Sequence, residues 1–245
     1  MKNVFFFLGL LILPQIGLAQ QLDGAWKLIQ QDGLEVSDQE TIKIYQDGYF
    51  AFGTKEVGSD AFVKAGGGEF VLNGSYTEHF DFHTQQSDLI GSEQEYEFNL
   101  ANEKLHLTRT DGVEEVWHRI SNEEDDLTGN WVFTGRQQNN EVSRSTPGDR
   151  RTVKILGGGR FQWIAFNSAT KEFSGTGGGT YTAEDGVYTE NIEFFSRDDS
   201  RVGASLDFQF EIKDGEWHHS GKSSKGDPIY EIWSPYKEAY SGTRF

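Results

Sequence analysis

A triple glycine followed by a Tyr-Thr-Glu segment occurs twice in this chain, and this repeat constrains the fold more than any other feature. The second copy runs from Gly177–Gly179 to Tyr188–Glu190, and the first runs from Gly66–Gly68 to Tyr76–Glu78. Each Tyr-Thr-Glu opens an alternation of apolar and polar residues, which is typical of a half-buried strand. A repeat in fixed order predicts two copies of one β-rich unit.

Further paired motifs extend the repeat over most of the chain. Each unit opens on Leu-x-Gly-x-Trp, at Leu22–Trp26 and Leu127–Trp131, and each closes on a strand with a tryptophan, Trp117 or Trp233. Asp-Gly between alternating runs, as at Asp47–Gly48, indicates a tight hairpin. We therefore predict an all-β fold of two tandem antiparallel β-barrels of about eight strands each, because closure removes exposed sheet edges. A pair of open β-sandwiches is the alternative.

The chain is predicted to begin with an export signal. Residues 1–20 combine a basic start at Lys2, an apolar stretch and a small-residue site ending at Ala19, which is the pattern of a secretory signal peptide. Barrel 1 is assigned to residues 21–120, an acidic linker to 121–126 and barrel 2 to 127–238. The prediction is a periplasmic or extracellular protein. Because the sequence has no cysteine, we expect neither disulfides nor a lipid anchor on cysteine.

Charge and missing motifs exclude several classes of partner. The chain has 39 acidic and 22 basic residues, with a formal net charge of −17, which disfavours binding to nucleic acid and to anionic membranes. No segment beyond the signal approaches the ~20 apolar residues of a membrane span. Dinucleotide fingerprints, nucleophile elbows and zinc-protease motifs are missing from the sequence. We predict no cofactor, no metal, no nucleic-acid partner and no membrane span.

The opening motif and the second unit resemble known domains. Leu-x-Gly-x-Trp at both unit starts resembles the start of lipocalin-type (calycin) barrels. Residues 127–235 are also similar to uncharacterised lipocalin-like domains of exported Gram-negative proteins, and residues 22–119 are more loosely so. The segments that carry this second resemblance are Gly177–Tyr181, Tyr188–Glu190 and Trp217–His219. The resemblance implies an internal cavity. It also implies an arginine on the last strand against the first-strand Trp, for which Arg119 is the candidate in barrel 1.

Strand alternation places a Tyr–Glu pair inside each barrel, because alternate residues share a face. The two matching faces are Tyr188, Glu190, Ile192 and Phe194, and Tyr76, Glu78, Phe80 and Phe82. Since the faces are mostly apolar, we expect them to point inward, where a carboxylate needs a hydrogen-bond donor or a cation. A Glu beside a Tyr in a cavity could bind sugar hydroxyls or act as an acid–base group. A purely structural contact near the rim is the alternative.

Barrel 2 carries further candidate ligand-binding side chains. His219 has Leu107 at its matching position in barrel 1, and alternation directs it inward beside Trp217. A hydrogen-bonded core histidine is the simpler interpretation, whereas aromatic faces beside Glu and His suit carbohydrates or small aromatic ligands. The predicted ligand-binding set is Trp163, Phe161, Tyr181, Tyr188, Glu190, Trp217 and His219, with Tyr76 and Glu78 as the barrel 1 equivalents and Asn191 as a further difference between the units.

Two other features are interpreted as structural. His79, Asp81 and His83 alternate on the face opposite the apolar one, so we expect them to face water and not to bind a metal. The triple glycines are interpreted as a β-bulge or barrel corner. A phosphate-binding loop is disfavoured because neither a helix start nor Lys-Ser/Thr follows.

These observations predict an exported protein that binds a small molecule or glycan fragment in a barrel cavity, mainly in barrel 2. One alternative is an acid–base enzyme (a lyase, isomerase or hydrolase) that acts on a carbohydrate-like ligand through Glu190, His219 and Tyr188. Another is a scaffold with filled barrels whose outer faces bind a partner protein. A second barrel without an internal void would argue against the first two interpretations.

Overall fold

The computed structural model describes residues 18–138, 141–223 and 226–242, so the predicted signal peptide lies almost entirely outside the described residues. The first sheet contains β1 (Gly24–Gln31), β2 (Leu34–Glu35), β3 (Gln39–Gln46), β4 (Tyr49–Glu56), β5 (Phe62–Asn73), β6 (Ser75–His83), β7 (Glu93–Ala101), β8 (Lys104–Arg109) and β9 (Glu114–Ser121). The second contains β10 (Gly129–Gln138), β11 (Glu141–Arg144), β12 (Arg150–Gly157), β13 (Arg160–Asn167), β14 (Glu172–Glu184), β15 (Val187–Phe195), β16 (Ser205–Lys213), β17 (Glu216–Lys222) and β18 (Pro228–Pro235). One α-helical turn, α1 (Tyr236–Ala239), follows.

Each sheet closes on itself as an antiparallel barrel. β1 pairs with both β3 and β9, and β10 pairs with both β12 and β18. The short strands β2 and β11 extend the ends of β1 and β10 outside the closed ring of eight. The predicted all-β fold of two tandem barrels is therefore confirmed, and the sandwich alternative is wrong. Within the described residues no helix has the length and apolar character needed to cross a bilayer.

The triple glycines face a β-bulge in the next strand. β6 and β15 each contain one extra residue, Asp81 and Glu193, opposite the second and third glycines. A Cβ on Gly68 would overlap the carbonyl oxygen of His79, and a Cβ on Gly179 would overlap that of Asn191. Only glycine permits so close an approach of the bulged backbone. A bulge is thus present at both copies, but its extra residue lies in the strand opposite the glycines and not in the glycines themselves.

The bulge reverses the direction of every side chain that follows it. Phe82 lies between the barrels and Phe194 packs outward on Gly53 and Phe62, so the prediction that both point inward is wrong. His83 and Phe195 turn inward instead, toward Phe80 and Trp163 respectively. One extra residue is sufficient because side chains alternate with a period of two.

We expect Gly179→Ala to lower the free energy of unfolding by about 1–3 kcal/mol or more, because the methyl group would force β14 away from β15. Chemical denaturation measures the loss. Gly148→Ala is the matched control, since its Cβ would meet no atom within 4 Å. Equal stability of the two variants would contradict the claim that the bulge in β15 requires a glycine at position 179.

The two barrels share a hydrophobic core between their outer faces. It contains Ile44, Tyr49, Ala51, Ala65 and Phe82 from barrel 1 and Val132, Val153, Ile155, Ile164, Phe166 and Tyr236 from barrel 2 and α1. Strands β3 and β12 are thus buried on both faces. The barrels form one packed body and are not two units that only a linker connects.

Asp81 lies at the centre of this interface. Its carboxylate is 2.7 Å from Nη2 of Arg151 in barrel 2 and accepts hydrogen bonds from the hydroxyls of Tyr49 (3.2 Å) and Tyr236 (3.4 Å). His79, Asp81 and His83 are all buried. The expectation that they face water is wrong, because barrel 2 covers this side of barrel 1 and the bulge turns His83 inward.

Each barrel also has its own interior core, anchored by the tryptophan of the opening motif. The indole Nε1 of Trp26 donates to the carbonyl of Leu22 at 2.7 Å, and that of Trp131 donates to Leu127 at 2.9 Å. The guanidinium of Arg119 lies 4.1 Å above the Trp26 ring, which is the contact proposed for this arginine. In barrel 2, Pro235 is the residue opposite Trp131.

Candidate functional site

Barrel 2 has a cavity of about 610 Å³ at the end where its long loops lie. Its wall includes four aromatic side chains, Trp163, Phe195, Phe208 and Trp233, and its polar side chains include Lys154, Glu190, His219 and Glu231. The loop between β15 and β16 contributes Asp198, Ser200 and Arg201 at the rim. Barrel 2 is therefore not filled by its own side chains, which argues against the filled-barrel form of the scaffold alternative.

A buried ion pair crosses the inside of the barrel beside this cavity. Nζ of Lys154 on β12 lies 2.7 Å from Oε1 of Glu190 on β15, and both side chains are 6% exposed. The ammonium is also 5.2–5.3 Å from the ring centres of Tyr188, Trp217 and Trp233. Pairing and cation–π contacts offset the cost of burying the two charges. Sequence reasoning found Glu190 and missed Lys154.

Barrel 1 contains the same pair, but more donors surround its carboxylate. Nζ of Lys43 is 2.7 Å from Oε1 of Glu78, and the hydroxyls of Tyr76 (2.6 Å) and Tyr96 (3.3 Å) also donate to that side chain. Phe208 occupies the place of Tyr96 in barrel 2, since Tyr188 pairs with Phe208 as Tyr76 pairs with Tyr96. The adjoining cavity measures only about 240 Å³.

Glu190 consequently keeps free acceptor capacity. Among the described residues, Lys154 supplies its one well-directed hydrogen bond. The hydroxyl of Tyr188 lies near the carboxylate but forms no well-directed bond with it. Burial, and after it the charge of Glu190, raises the pKa of Tyr188 well above its ordinary value, so the phenol remains neutral and can only donate to a carboxylate.

His219 and Glu231 form a second polar pair at the cavity. Nδ1 of His219 is 3.3 Å from Oε2 of Glu231. Burial lowers the pKa of His219, which favours the neutral imidazole. Burial alone would raise the pKa of Glu231, but the hydrogen bond from His219 and the charge of Lys154 outweigh it and lower that pKa. The carboxylate therefore holds the ring proton on Nδ1, and Nε2, which has no hydrogen-bond partner among the described residues, is left as an acceptor.

The predicted site residues divide into two groups. Trp163, Glu190 and His219 line the cavity together. Four others, Phe161, Tyr181, Tyr188 and Trp217, pack below it in the barrel core. Asn191 is exposed on the outer face, where its amide donates to Thr180. In barrel 1, Glu78 lines the smaller cavity and Tyr76 is buried beside it.

Sequence reasoning missed Lys154, Glu231 and the rim residues. Lys154 and Glu231 could have been found by comparing the two copies of the repeat. Lys154 matches Lys43 two residues after a threonine in both hairpins, and Glu231 matches Glu115 two residues before the closing tryptophan. The rim residues lie in a loop that barrel 1 matches in length and in its 3₁₀ turn but not in residue type. Gln86, Asp88 and Leu89 stand at the positions of Asp198, Ser200 and Arg201, so the repeat predicted the loop but not its chemistry.

The fold and cavity place this chain among tandem β-barrel proteins with a polar and aromatic cavity in one barrel. Residues 126–240, which contain barrel 2 and α1, match the model of a family described as a domain of unknown function (DUF4488). No curated protein matches the chain.

The cavity of barrel 1 contains a histidine that should make folding sensitive to acid. Nδ1 of His83 accepts the backbone N–H groups of Gln85 (3.2 Å) and Gln86 (2.9 Å), and burial, followed by the charge of Lys64, lowers the pKa of His83 to about 4. The unfolded chain takes up this proton near pH 6.5, whereas the folded protein takes it up only near pH 4. Stability from this group is therefore present above pH ~6.5 and is lost as the pH falls toward 4.

We expect His83→Asn, which preserves an acceptor, to flatten the fall in unfolding free energy between pH 6.5 and 4.5. Urea denaturation at a series of pH values measures it. His106→Asn, at an exposed position of β8, is the control and should retain the parental slope. Parallel profiles for His83→Asn and the parent protein would show that this histidine does not cause the slope.

Proposed function

We propose that this protein binds a small organic molecule, such as a glycan fragment, in the cavity of barrel 2. The proposal rests on one observation: the two barrels have the same strand order and the same buried Lys–Glu pair, but they differ in cavity volume and in the number of donors to the glutamate. Barrel 1 has a cavity of about 240 Å³ and a carboxylate with three donors, whereas barrel 2 has a cavity of about 610 Å³. The second volume is within the range of small-molecule sites.

The cavity chemistry suits a ligand that carries hydroxyl or N–H groups on a flat or partly apolar body. Glu190 can accept hydrogen bonds and Lys154 can donate them. Trp163 and Trp233 offer aromatic faces for stacking. Export, expected from residues 1–20, would place this binding in the periplasm or outside the cell.

Acid–base catalysis is the second candidate, and the His219–Glu231 pair favours it. A neutral imidazole whose Nδ1–H is held by a carboxylate has a basic Nε2. Because Nε2 is buried in this conformation, the ring would have to turn toward the cavity to reach a substrate. The reaction class is proton transfer on a bound carbohydrate-like molecule, as in a lyase, isomerase or hydrolase. If His219→Leu abolishes turnover of a bound compound and spares its affinity, the enzyme interpretation is supported over simple binding. Equal turnover by this variant and the parent protein would oppose it.

A ligand screen with a matched pair of variants tests the proposal. The purified protein is screened by ligand-observed NMR against sugars, sugar acids and small aromatic compounds. Trp163→Ala removes an aromatic wall of the barrel 2 cavity, and Phe52→Ala removes the equivalent wall in barrel 1, since Lys154 pairs with Trp163 as Lys43 pairs with Phe52.

We expect hits whose Kd rises about tenfold or more in Trp163→Ala, which is the scale of one lost aromatic contact, and remains unchanged in Phe52→Ala. A set of hits that only Phe52→Ala weakens would place binding in barrel 1. The lack of any hit that depends on Trp163 would overturn the proposal.

A further inference from the structure

We propose that the ligand of barrel 2 is an organic anion whose charged group binds Arg136 and Arg150 in an outer chamber of the barrel mouth. The inference rests on the proposed function and narrows its ligand class. The outer chamber has a volume of about 540 Å³ and borders the inner cavity along a shared wall of Thr152, Glu231 and Trp233.

Strand register directs both arginines to this chamber. Arg150 is the first residue of β12 and shares the inward side of that strand with Thr152 and Lys154. Arg136 follows a bulge in β10 and lies directly across from Glu231 of β18. The outer chamber is therefore a continuation of the barrel interior toward solvent.

Within the described part of the chain, neither arginine forms an ion pair with a carboxylate. Among the residues that the structure describes, six arginines form ion pairs: Arg109, Arg119, Arg144, Arg151, Arg160 and Arg201. The three described arginines outside this set, Arg136, Arg150 and Arg197, all lie at the mouth of barrel 2, where Arg197 packs beside Trp163 over Gly175. In a chain with a net charge of −17, three unpaired arginines gathered at one opening indicate a place for an external anion.

The charges that line both chambers support the same conclusion. The cationic side chains are Lys154, Arg136, Arg150, Arg151 and Arg201, and the anionic ones are Glu190, Glu231 and Asp198. Arg151 is neutralised by Asp81, Lys154 by Glu190 and Arg201 by Asp198. Once these three ion pairs are set aside, two cations, Arg136 and Arg150, and one anion, Glu231, line the two chambers. A planar guanidinium binds the paired oxygens of a carboxylate, sulfonate or phosphate well.

The loop before Arg150 is held in place from both barrels. Nη1 of Arg151 donates to the carbonyls of Gly148 (3.1 Å) and Asp149 (3.3 Å), and the N–H of Ser168 also donates to Asp149 (3.0 Å). Arg151 is in turn paired with Asp81 of barrel 1. Arg150 therefore begins β12 directly after a loop whose conformation is set before the ligand arrives, which reduces the entropy lost on binding.

Two fluorescent probes that differ only in charge test the proposal. The anion 8-anilinonaphthalene-1-sulfonate and the uncharged N-phenyl-1-naphthylamine share one ring system. We expect Arg136→Gln/Arg150→Gln to raise the Kd of the sulfonate about tenfold or more and to leave that of the uncharged probe unchanged. Arg109→Gln/Arg144→Gln, which removes the same charge from paired arginines outside the chamber, should affect neither probe.

A second measurement needs no variant. Added salt should weaken binding of the sulfonate to the parent protein and leave the uncharged probe unaffected, because salt screens only the charged contact. Sulfonate binding that neither salt nor the double substitution weakens would overturn the anion proposal. The proposed function would still stand if Trp163→Ala weakened both probes. If Trp163→Ala weakened neither, the cavity would not be the binding site and both proposals would fail.

Discussion

Replacing Asp81 with alanine should lower the free energy of unfolding by about 3–5 kcal/mol, because it leaves the buried Arg151 guanidinium without its carboxylate. The side chains of Arg151 and Asp81 are 1% and 6% exposed, so water cannot replace the lost partner. Tyr49 and Tyr236 would also lose an acceptor. Equilibrium denaturation in urea measures the effect, and a single transition would also show that the barrels unfold together.

Glu211→Ala is the matched control for this prediction. Glu211 pairs with Lys213 at 2.7 Å, but its side chain is 62% exposed, and exposed pairs contribute less than about 1 kcal/mol. Similar losses in the two variants would show that the interface pair contributes no more than a surface pair. Two separate unfolding transitions in the parent protein would contradict the shared core.

Lys154→Met should lower the free energy of unfolding by a similar amount, about 3–5 kcal/mol, because Glu190 would keep its charge inside barrel 2 without its cation. The double variant Lys154→Met/Glu190→Leu should recover most of this loss, since an apolar pair of similar volume carries no desolvation cost. A double-mutant cycle in urea yields the coupling between the two side chains.

Lys27→Met provides the comparison for this cycle. Lys27 pairs with Glu40 at the same 2.7 Å distance, but the lysine side chain is 43% exposed, so its loss should cost less than about 1 kcal/mol. A double variant at Lys154 and Glu190 as unstable as Lys154→Met would mean that the loss comes from packing and not from an unpaired charge.

The repeat was sufficient to predict the fold, because strand alternation, Asp-Gly turns and closing tryptophans recur in the same order. The position of each side chain could be predicted only as far as the bulge. Asp81 and Glu193 each add one residue to an otherwise regular alternation, and nothing in the local pattern distinguishes a bulged strand from a regular one. Phe82 and Phe194 were placed inside for that reason.

The core shared by the two barrels and the position of Lys154 at the cavity were harder to predict, for different reasons. Contacts between the outer faces of two barrels depend on how the barrels pack, which alternation within one strand does not encode. The apolar residues on both sides of β12, such as Val153 and Leu156, are nevertheless typical of a strand buried on both faces. Lys154 was missed because a lysine in a strand normally marks the solvent side, and only its match to Lys43 indicates otherwise.

A ligand site in barrel 2 alone predicts both the stoichiometry of binding and the variant that abolishes it. Isothermal titration with the tightest compound from the screen should show one site per chain. Ala204→Trp, which fills the mouth of barrel 2, should abolish it, and Ser92→Trp should preserve it, since Ser92 and Ala204 accept equivalent backbone hydrogen bonds from Phe80 and Ile192. Binding that survives Ala204→Trp, or that Ser92→Trp abolishes, would contradict a ligand site in barrel 2.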